Sequence, residues 1–149
     1  MLFRSVGDVL GEANCIRRLG DIALDRSDHE TARTRSEEAL PLYRRVGDVL
    51  GEANCIQNLG DIAAAQSGMT TAKERYAAAL GLYQRIPEPY SIGWTYRRLA
   101  RITDGDERAA NVAKARAAWQ SIGRTDLVES LDGEFPSEPA VAPGETPPA

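Results

Sequence analysis

The sequence has little of what metal-dependent or nucleophilic catalysis needs. Its 149 residues include one histidine, His29, and two cysteines that lie 40 residues apart. These residues are too few and too widely separated to supply the cluster of ligands that a zinc site requires. The glycine-rich phosphate loop, the dinucleotide fingerprint and the nucleophile elbow are also absent from the sequence. We therefore expect a protein that is not an enzyme and has no metal or cofactor.

Charge and hydropathy exclude two further classes of protein. The chain has 18 basic against 22 acidic residues and a net charge of −4, whereas nucleic-acid binding normally requires a net basic face. No apolar run approaches the roughly 20 residues that cross a bilayer. The first residues lack the basic-then-apolar pattern of a signal peptide, so a cytoplasmic location is expected. These observations predict partners other than nucleic acid or membrane.

The most informative feature of the sequence is an internal repeat with a period of 40 residues. Residues 6–23 and 46–63 are identical except at two positions, where Arg17 aligns with Gln57 and Arg18 with Asn58. A third, degraded copy begins near Ile86. The repeat predicts an architecture of stacked, similar units.

Each unit is predicted to be a pair of helices. In the first copy, apolar residues recur at spacings of three and four, which is the helical period. Helix A is expected from about residue 8, with Asp8 near its cap, to about residue 25. Ser27 and Glu30 have the spacing of a capping box for helix B, which is expected to end near residue 45. Such a short connection makes the two helices antiparallel.

Two positions within the units carry more specific predictions. Pro41 lies inside helix B and aligns with Gly81, so a bend or loosened last turn is expected in both copies. Cys15 and Cys55 are interpreted as small apolar core residues, with a disulfide between them as the alternative.

The unit resembles the tetratricopeptide repeat, in the 40-residue variety found in kinesin light chains. The leucine–glycine pair of that family matches Leu19-Gly20 and Leu59-Gly60, and its helix B alanines match further positions. Those alanines are Ala32 and Ala39 in the first copy and Ala72 and Ala79 in the second. Tyr76 occupies the family's aromatic position, where the first copy has Ser36. The resemblance implies an all-α, right-handed α-solenoid of antiparallel helix hairpins.

The repeat also divides the chain into segments. Leu2-Phe3-Arg4 aligns with Leu42-Tyr43-Arg44, so the sequence begins within a unit. A fragment of a longer array, a lost upstream start and a clipped solenoid all explain this; we favour the fragment, which predicts an uncovered apolar face on the first hairpin. Trp119 is expected in the place of Tyr83 after a four-residue deletion. The predicted segments are the end of a truncated repeat (1–5), repeat 1 (6–45), repeat 2 (46–85), degraded repeat 3 (86–122), a capping helix (123–132) and a disordered acidic, proline-rich tail (133–149).

In the family that this unit resembles, helix A lines a concave groove that binds peptides. The implied groove residues, polar except for one tryptophan, are Asn14, Arg17, Asp21, Asn54, Gln57, Asn58, Asp61, Trp94, Arg97, Arg98 and Arg101, with Leu24 and Ala64 beside them. Asn14 and Asn54 match asparagines that hold peptide backbone in similar repeats, whereas Trp94 departs from that pattern. The three arginines of the third copy favour an acidic partner, or the chain's own acidic tail.

The resemblance and the surface together predict a scaffold that binds a protein or peptide. Three alternatives remain open at the level of sequence. The polar stripe could be a solvated surface without a ligand. The open N-terminal edge could make homo-oligomers, or the chain could be a regulatory or sensor segment of a larger signalling ATPase or transcription regulator.

Overall fold

The computed structural model describes residues 5–137; the predicted tail from residue 138 onwards and Leu2-Phe3-Arg4 lie outside the described residues. Within that range the chain forms seven helices and no strand, so the fold is an all-α helical repeat solenoid, as predicted. The helices are α1 (Val6–Asp25), α2 (His29–Val46), α3 (Val49–Ala65), α4 (Met69–Arg85), α5 (Pro89–Arg101), α6 (Gly105–Ser121) and α7 (Thr125–Glu134).

Three hairpins are stacked along the chain. Helices α1 and α2, α3 and α4, and α5 and α6 pack as pairs, each joined by a three-residue connection. Successive hairpins meet where α2 packs on α3 and α4 on α5. Helix α7 packs on α6 through Leu131, which is fully buried with Trp119. Helix α7 ends at Glu134, two residues beyond the predicted capping segment.

The start of α2 differs from the prediction. Ser27 has a φ of 59°, and its backbone N–H donates to the Leu24 carbonyl at the end of α1. Ser27 therefore terminates α1, and the expected capping role passes to Asp28, whose side chain accepts from the Thr31 N–H at 3.2 Å. This carboxylate satisfies one of the backbone donors that a helix N-terminus leaves open.

Helix α2 continues through Pro41 to Val46, and the bend or loosened last turn expected there stays a prediction. Helix α4 likewise runs through Gly81. Both Pro41 and Glu37, the residue whose carbonyl loses its amide donor, are exposed, so water can take the place of that donor.

A large aromatic side chain is buried at the same position in each of the three hairpins. Tyr43, Tyr83 and Trp119 are all fully buried, which confirms that Trp119 takes the place of Tyr83. The Tyr43 ring packs so closely on Gly51 that a Cβ there would lie 2.2 Å from the ring. Only glycine allows this approach of α2 and α3.

Corresponding residues of α1 and α3 differ strongly in exposure. Leu19 is 49% exposed and Leu59 8%, while Ile22 is 48% exposed and Ile62 1%. The cysteines follow the same division, since Cys55 is buried and Cys15 exposed. The prediction of two core cysteines is therefore wrong for Cys15, because among the described residues no helix covers that side of α1. Both thiols are free, so the alternative of a disulfide is wrong for the pair.

Candidate functional site

The first row of predicted groove residues consists of Asn14, Asn54 and Trp94, and each of them contacts the buried aromatic residue of its own hairpin. The Tyr43 hydroxyl donates to Asn14 Oδ1 at 2.7 Å, and the Tyr83 hydroxyl donates to Asn54 Oδ1 at 2.5 Å. In the third hairpin, the Trp94 ring meets Trp119 edge-on at a centroid distance of 5.1 Å. One helix A side chain is thus supported by one helix B aromatic in every unit.

The hydroxyl groups fix the orientation of the asparagine carboxamides. Tyr43 already accepts from Arg17 Nε at 3.2 Å, so its own hydrogen is directed to Asn14 Oδ1. Burial raises the pKa of the Tyr83 hydroxyl above its ordinary value, which keeps that group protonated and able to donate to Asn54. Because each carboxamide oxygen is engaged, the Nδ2 groups are the donors left for a ligand; neither donates to a residue between 5 and 137.

A second row lies three residues further along each helix A and consists of Arg17, Gln57 and Arg97. Arg17 forms an ion pair with Asp21 at 2.8 Å, and Gln57 Oε1 accepts from the Thr95 hydroxyl at 2.7 Å. Arg97 lies over the Trp94 ring, 5.0 Å from its centroid, a geometry in which the ring face attracts the cation. Its Nε also contacts Glu134 Oε2 at 2.5 Å.

The remaining predicted residues connect one helix A to the next. Asn58 Nδ2 donates to Asp21 Oδ1 at 2.6 Å, and Arg98 Nε donates to Asp61 Oδ1 at 2.9 Å; both pairs are 37 residues apart. Arg101 donates to Glu134 across 33 residues, which is the same register after the four-residue deletion. We call these three pairs the inter-repeat ladder.

In the third pair of the ladder, the positively and negatively charged residues exchange positions. Asp61 is the acceptor in the second pair, whereas Arg101, its counterpart 40 residues later, is a donor and Glu134 the acceptor. The hydrogen bond from Arg101, assisted by Arg97, lowers the pKa of the Glu134 carboxyl below its ordinary value. Glu134 is therefore ionised at neutral pH and completes the ladder from α7.

The structure thus separates the eleven predicted residues into two groups. Five of them form hydrogen bonds of the inter-repeat ladder: Asp21, Asn58, Asp61, Arg98 and Arg101. The others form the two rows: Asn14, Arg17, Asn54, Gln57, Trp94 and Arg97. Leu24 and Ala64, placed beside the groove by the sequence, instead pack against the apolar clusters between hairpins.

Several supporting residues were missed by sequence reasoning. Tyr43 and Tyr83 each follow their asparagine by 29 residues, and this repeated offset is a signal that could have identified them. Tyr76 donates to Asp61 Oδ1 at 2.6 Å. Glu134 lies 36 residues after Arg98, but the deletion in the third unit and the decay of the fourth hide that register.

Metal and membrane sites find no support in the described part of the chain. Between residues 5 and 137 no group of three histidine, cysteine or acidic side chains is placed to hold a metal ion. None of the helices described here is long and apolar enough to cross a membrane.

Comparison with known proteins supports the repeat architecture. A family model of the tetratricopeptide repeat matches residues 12–83, slightly less than half of the chain. The match supports membership of the tetratricopeptide repeat family and covers most of the first two hairpins. No curated protein and no solved structure gives a significant match to the chain.

Proposed function

We propose that the chain is a non-enzymatic tetratricopeptide scaffold that binds a protein or peptide in a groove lined by α1, α3 and α5. Tetratricopeptide repeats generally mediate protein–protein interaction, which supports this class of function. The observation that carries the proposal is the pair of asparagines, Asn14 and Asn54, each held by a buried tyrosine hydroxyl.

A fixed carboxamide is suited to binding an extended peptide. The peptide's backbone carbonyls lose water on binding and must find donors, since an unpaired buried acceptor costs about 1–3 kcal/mol. Asn14 and Asn54 supply such donors at equivalent places on neighbouring helices, and their tyrosines keep them oriented before the peptide arrives. Preorganisation of this kind reduces the entropy that binding would otherwise cost.

The third hairpin gives the groove a different chemistry at its other end. There Trp94 offers an aromatic surface and Arg97 a cation stacked upon it. An arginine in this setting binds carboxylates well because its planar group donates two parallel hydrogen bonds. We therefore propose that the ligand is an extended peptide with an acidic side chain or terminal carboxylate at this end, which would compete with Glu134 for Arg97.

The test is selection from a displayed library of random peptides, followed by fluorescence anisotropy with the selected peptide. Asn54→Ala and Arg97→Ala should each weaken binding by about five- to tenfold, as expected for one lost hydrogen bond to a ligand. Gln84→Ala, an exposed change on α4, is the matched control and should leave affinity unchanged. Undiminished binding by both groove variants would refute the proposal.

A second candidate function is association through the exposed side of α1, which Leu19 and Ile22 favour. Its simplest form is self-assembly, the alternative raised by the sequence. Light scattering over a range of concentrations decides this form, because a monomer at every concentration excludes it. The role as a sensor segment of a larger regulator stays a prediction from the sequence.

A further inference from the structure

The free hydrogen-bonding groups of the groove are donors rather than acceptors. The amino groups of Asn14 and Asn54 donate to none of the residues from 5 to 137, whereas both carboxamide oxygens already accept from tyrosines. Both oxygens of Asp21 accept from neighbouring side chains, and Asp61 Oδ1 accepts twice. The groove therefore meets a ligand with unused N–H groups and with acceptors that are already engaged.

The helix backbone adds no acceptors to this surface. Asn14, Asn54 and Trp94 lie inside α1, α3 and α5, where the backbone N–H and C=O groups bond to one another along the helix. An extended peptide presents carbonyl and N–H groups alternately, and its N–H groups would find few acceptors here. A donor that loses water without gaining a partner weakens binding. Proline avoids this loss, since it keeps its carbonyl and lacks the N–H.

The spacing of the two asparagines matches the period of a polyproline II helix. Asn14 and Asn54 are equivalent residues of α1 and α3, which contact each other through Asp21 and Asn58. Packed helices lie about 8–10 Å apart. A polyproline II helix rises about 3.1 Å per residue with three residues per turn, so every third carbonyl recurs after about 9 Å. A β-strand repeats the same face every two residues, or about 6.6 Å, and fits this interval less well.

The third hairpin adds an aromatic surface and a cation to the same line. Trp94 occupies the position of Asn14 and Asn54 in α5, and Arg97 lies 5.0 Å from the centre of its ring. Grooves that bind polyproline II segments are lined with aromatic rings. An acidic residue beside the prolines would bind Arg97 in place of Glu134, which holds it in this structure.

We propose that the groove binds a proline-rich segment of a partner protein in the polyproline II conformation, with an acidic residue at the end that lies on α5. Carbonyls three residues apart accept from Asn14 and Asn54, and the prolines bring no N–H group to a wall whose acceptors are engaged. This inference rests on the proposed peptide-binding groove and names the class of peptide that the groove takes.

Fluorescence anisotropy with the full chain and three labelled peptides tests the proposal. The first peptide is a run of prolines with a glutamate at each end. Alanine replaces every proline in the second peptide, and N-methylalanine does so in the third. The third peptide lacks N–H groups but has no proline ring, so it separates the missing donors from the stiffness of proline. We expect the first and third peptides to bind at least about tenfold more tightly than the second.

Asn54→Asp tests the donor directly. Aspartate keeps the oxygen that accepts from Tyr83 but has no amino group, and its second oxygen accepts N–H groups. The affinity ratio between the proline and alanine peptides should therefore fall close to one. Both peptides carry the same glutamates, so the added negative charge cancels in that ratio. Asn14→Asp should act in the same way, whereas Gln84→Ala on the exposed side of α4 should leave the ratio unchanged. Circular dichroism checks that each variant is folded.

Equal binding of the proline and alanine peptides, or a ratio that neither aspartate variant changes, would overturn the proposal. The groove itself is judged by selection from the random library. Selected peptides that depend on Asn54 and Arg97 without being enriched in proline would leave the groove in place and overturn only the class of peptide. Selected peptides that depend on neither residue would refute the groove.

The chain's own proline-rich segment is a competing occupant. Removal of residues 138–149 should leave the affinity for the proline peptide unchanged. A gain of about tenfold or more would show that this segment occupies the groove, and would overturn the choice of a separate partner.

Discussion

Residues 6–23 and 46–63 place nearly the same sequence in two different surroundings. In α3 the segment packs between the first hairpin and α4, and its apolar residues Cys55, Leu59 and Ile62 are buried. In α1 the equivalent residues Cys15, Leu19 and Ile22 are exposed. The amphipathic pattern of a helix therefore predicts which residues can be buried. Which of them are buried depends on the neighbouring unit.

The start of the helix differs between the two segments as well. Before α3, Gly47 adopts a φ of 73° and Asp48 caps the helix, accepting from the Gly51 N–H at 2.9 Å. In the first segment the equivalent residues Gly7 and Asp8 are already helical, because Ser5 provides the cap and Asp8 completes a capping box with it. The same glycine–aspartate pair therefore forms the connection before α3 but lies within the first turn of α1.

The largest expected effect comes from removing the same side chain in both segments. Ile62→Ala should lower the free energy of unfolding by about 2–5 kcal/mol, since it leaves a cavity beside the first hairpin. Ile22→Ala should change it by less than about 0.5 kcal/mol, because Ile22 is half exposed. Urea unfolding followed by circular dichroism measures both. Equal losses would mean that Ile22 is covered in solution, and would refute the difference in burial between the two units.

A smaller effect, of opposite sign in the two units, is expected when the equivalent glycines Gly51 and Gly11 are replaced by alanine. Gly51→Ala places a methyl group in the ring of Tyr43 and should destabilise the protein by about 1–3 kcal/mol. Apart from its chain neighbours and the backbone of its own helical turns, no described atom lies within 4 Å of the position that a Cβ would take at Gly11, which is exposed within α1. Gly11→Ala should therefore stabilise by up to about 1 kcal/mol through helix propensity. Thermal unfolding of the two variants gives the signs, and a loss in both would contradict the comparison.

The fold could be predicted from the sequence because its information is local and repeated. The helical period fixed the hairpins, and the spacing of the repeat identified Trp119 as the counterpart of Tyr83. The capping residues could not be assigned, since Ser27 and Asp28 are adjacent and either can cap a helix. Which one does so depends on how α1 ends, and that is decided by its backbone hydrogen bonds.

The candidate site could be predicted only in part. The positions on helix A followed from the register of the repeat, and the structure brings Asn14 and Asn54 to equivalent places. The hydrogen bonds from Tyr43 and Tyr83 could not be seen, because they join side chains 29 residues apart on different helices. The division between groove rows and the inter-repeat ladder likewise depends on the distance between adjacent helices, which a sequence pattern does not contain.

Hairpin 2 also has a hydrogen bond that hairpin 1 lacks. Tyr76 donates to Asp61, whereas Ser36 at the equivalent position is buried and its hydroxyl has no partner among the described residues. Tyr76→Phe should lower the free energy of unfolding by about 1–2 kcal/mol, because it removes a hydrogen bond to a charged carboxylate. The loss is limited because Asp61 keeps its ion pair with Arg98. Tyr90→Phe, at an exposed tyrosine, is the control and should be neutral. Equal stability of Tyr76→Phe and the parent would show that this bond does not distinguish the hairpins.

The smallest expected effect tests the last pair of the inter-repeat ladder. Glu134 lies partly exposed between Arg97 and Arg101, so Glu134→Gln should cost less than about 1 kcal/mol at pH 7. The pKa of Glu134 is lowered in the folded state from an ordinary value of 4.5. Its stabilising contribution is therefore complete above that value and is lost as the pH falls through the folded pKa. The difference between the parent and Glu134→Gln should accordingly disappear in acid, as urea unfolding at several pH values would measure. Glu129→Gln, at an exposed residue of the same helix, is the control and should leave the free energy of unfolding at pH 7 unchanged. If both variants behave alike, α7 is held by Leu131 and its apolar neighbours alone, and the ladder ends at Asp61 and Arg98.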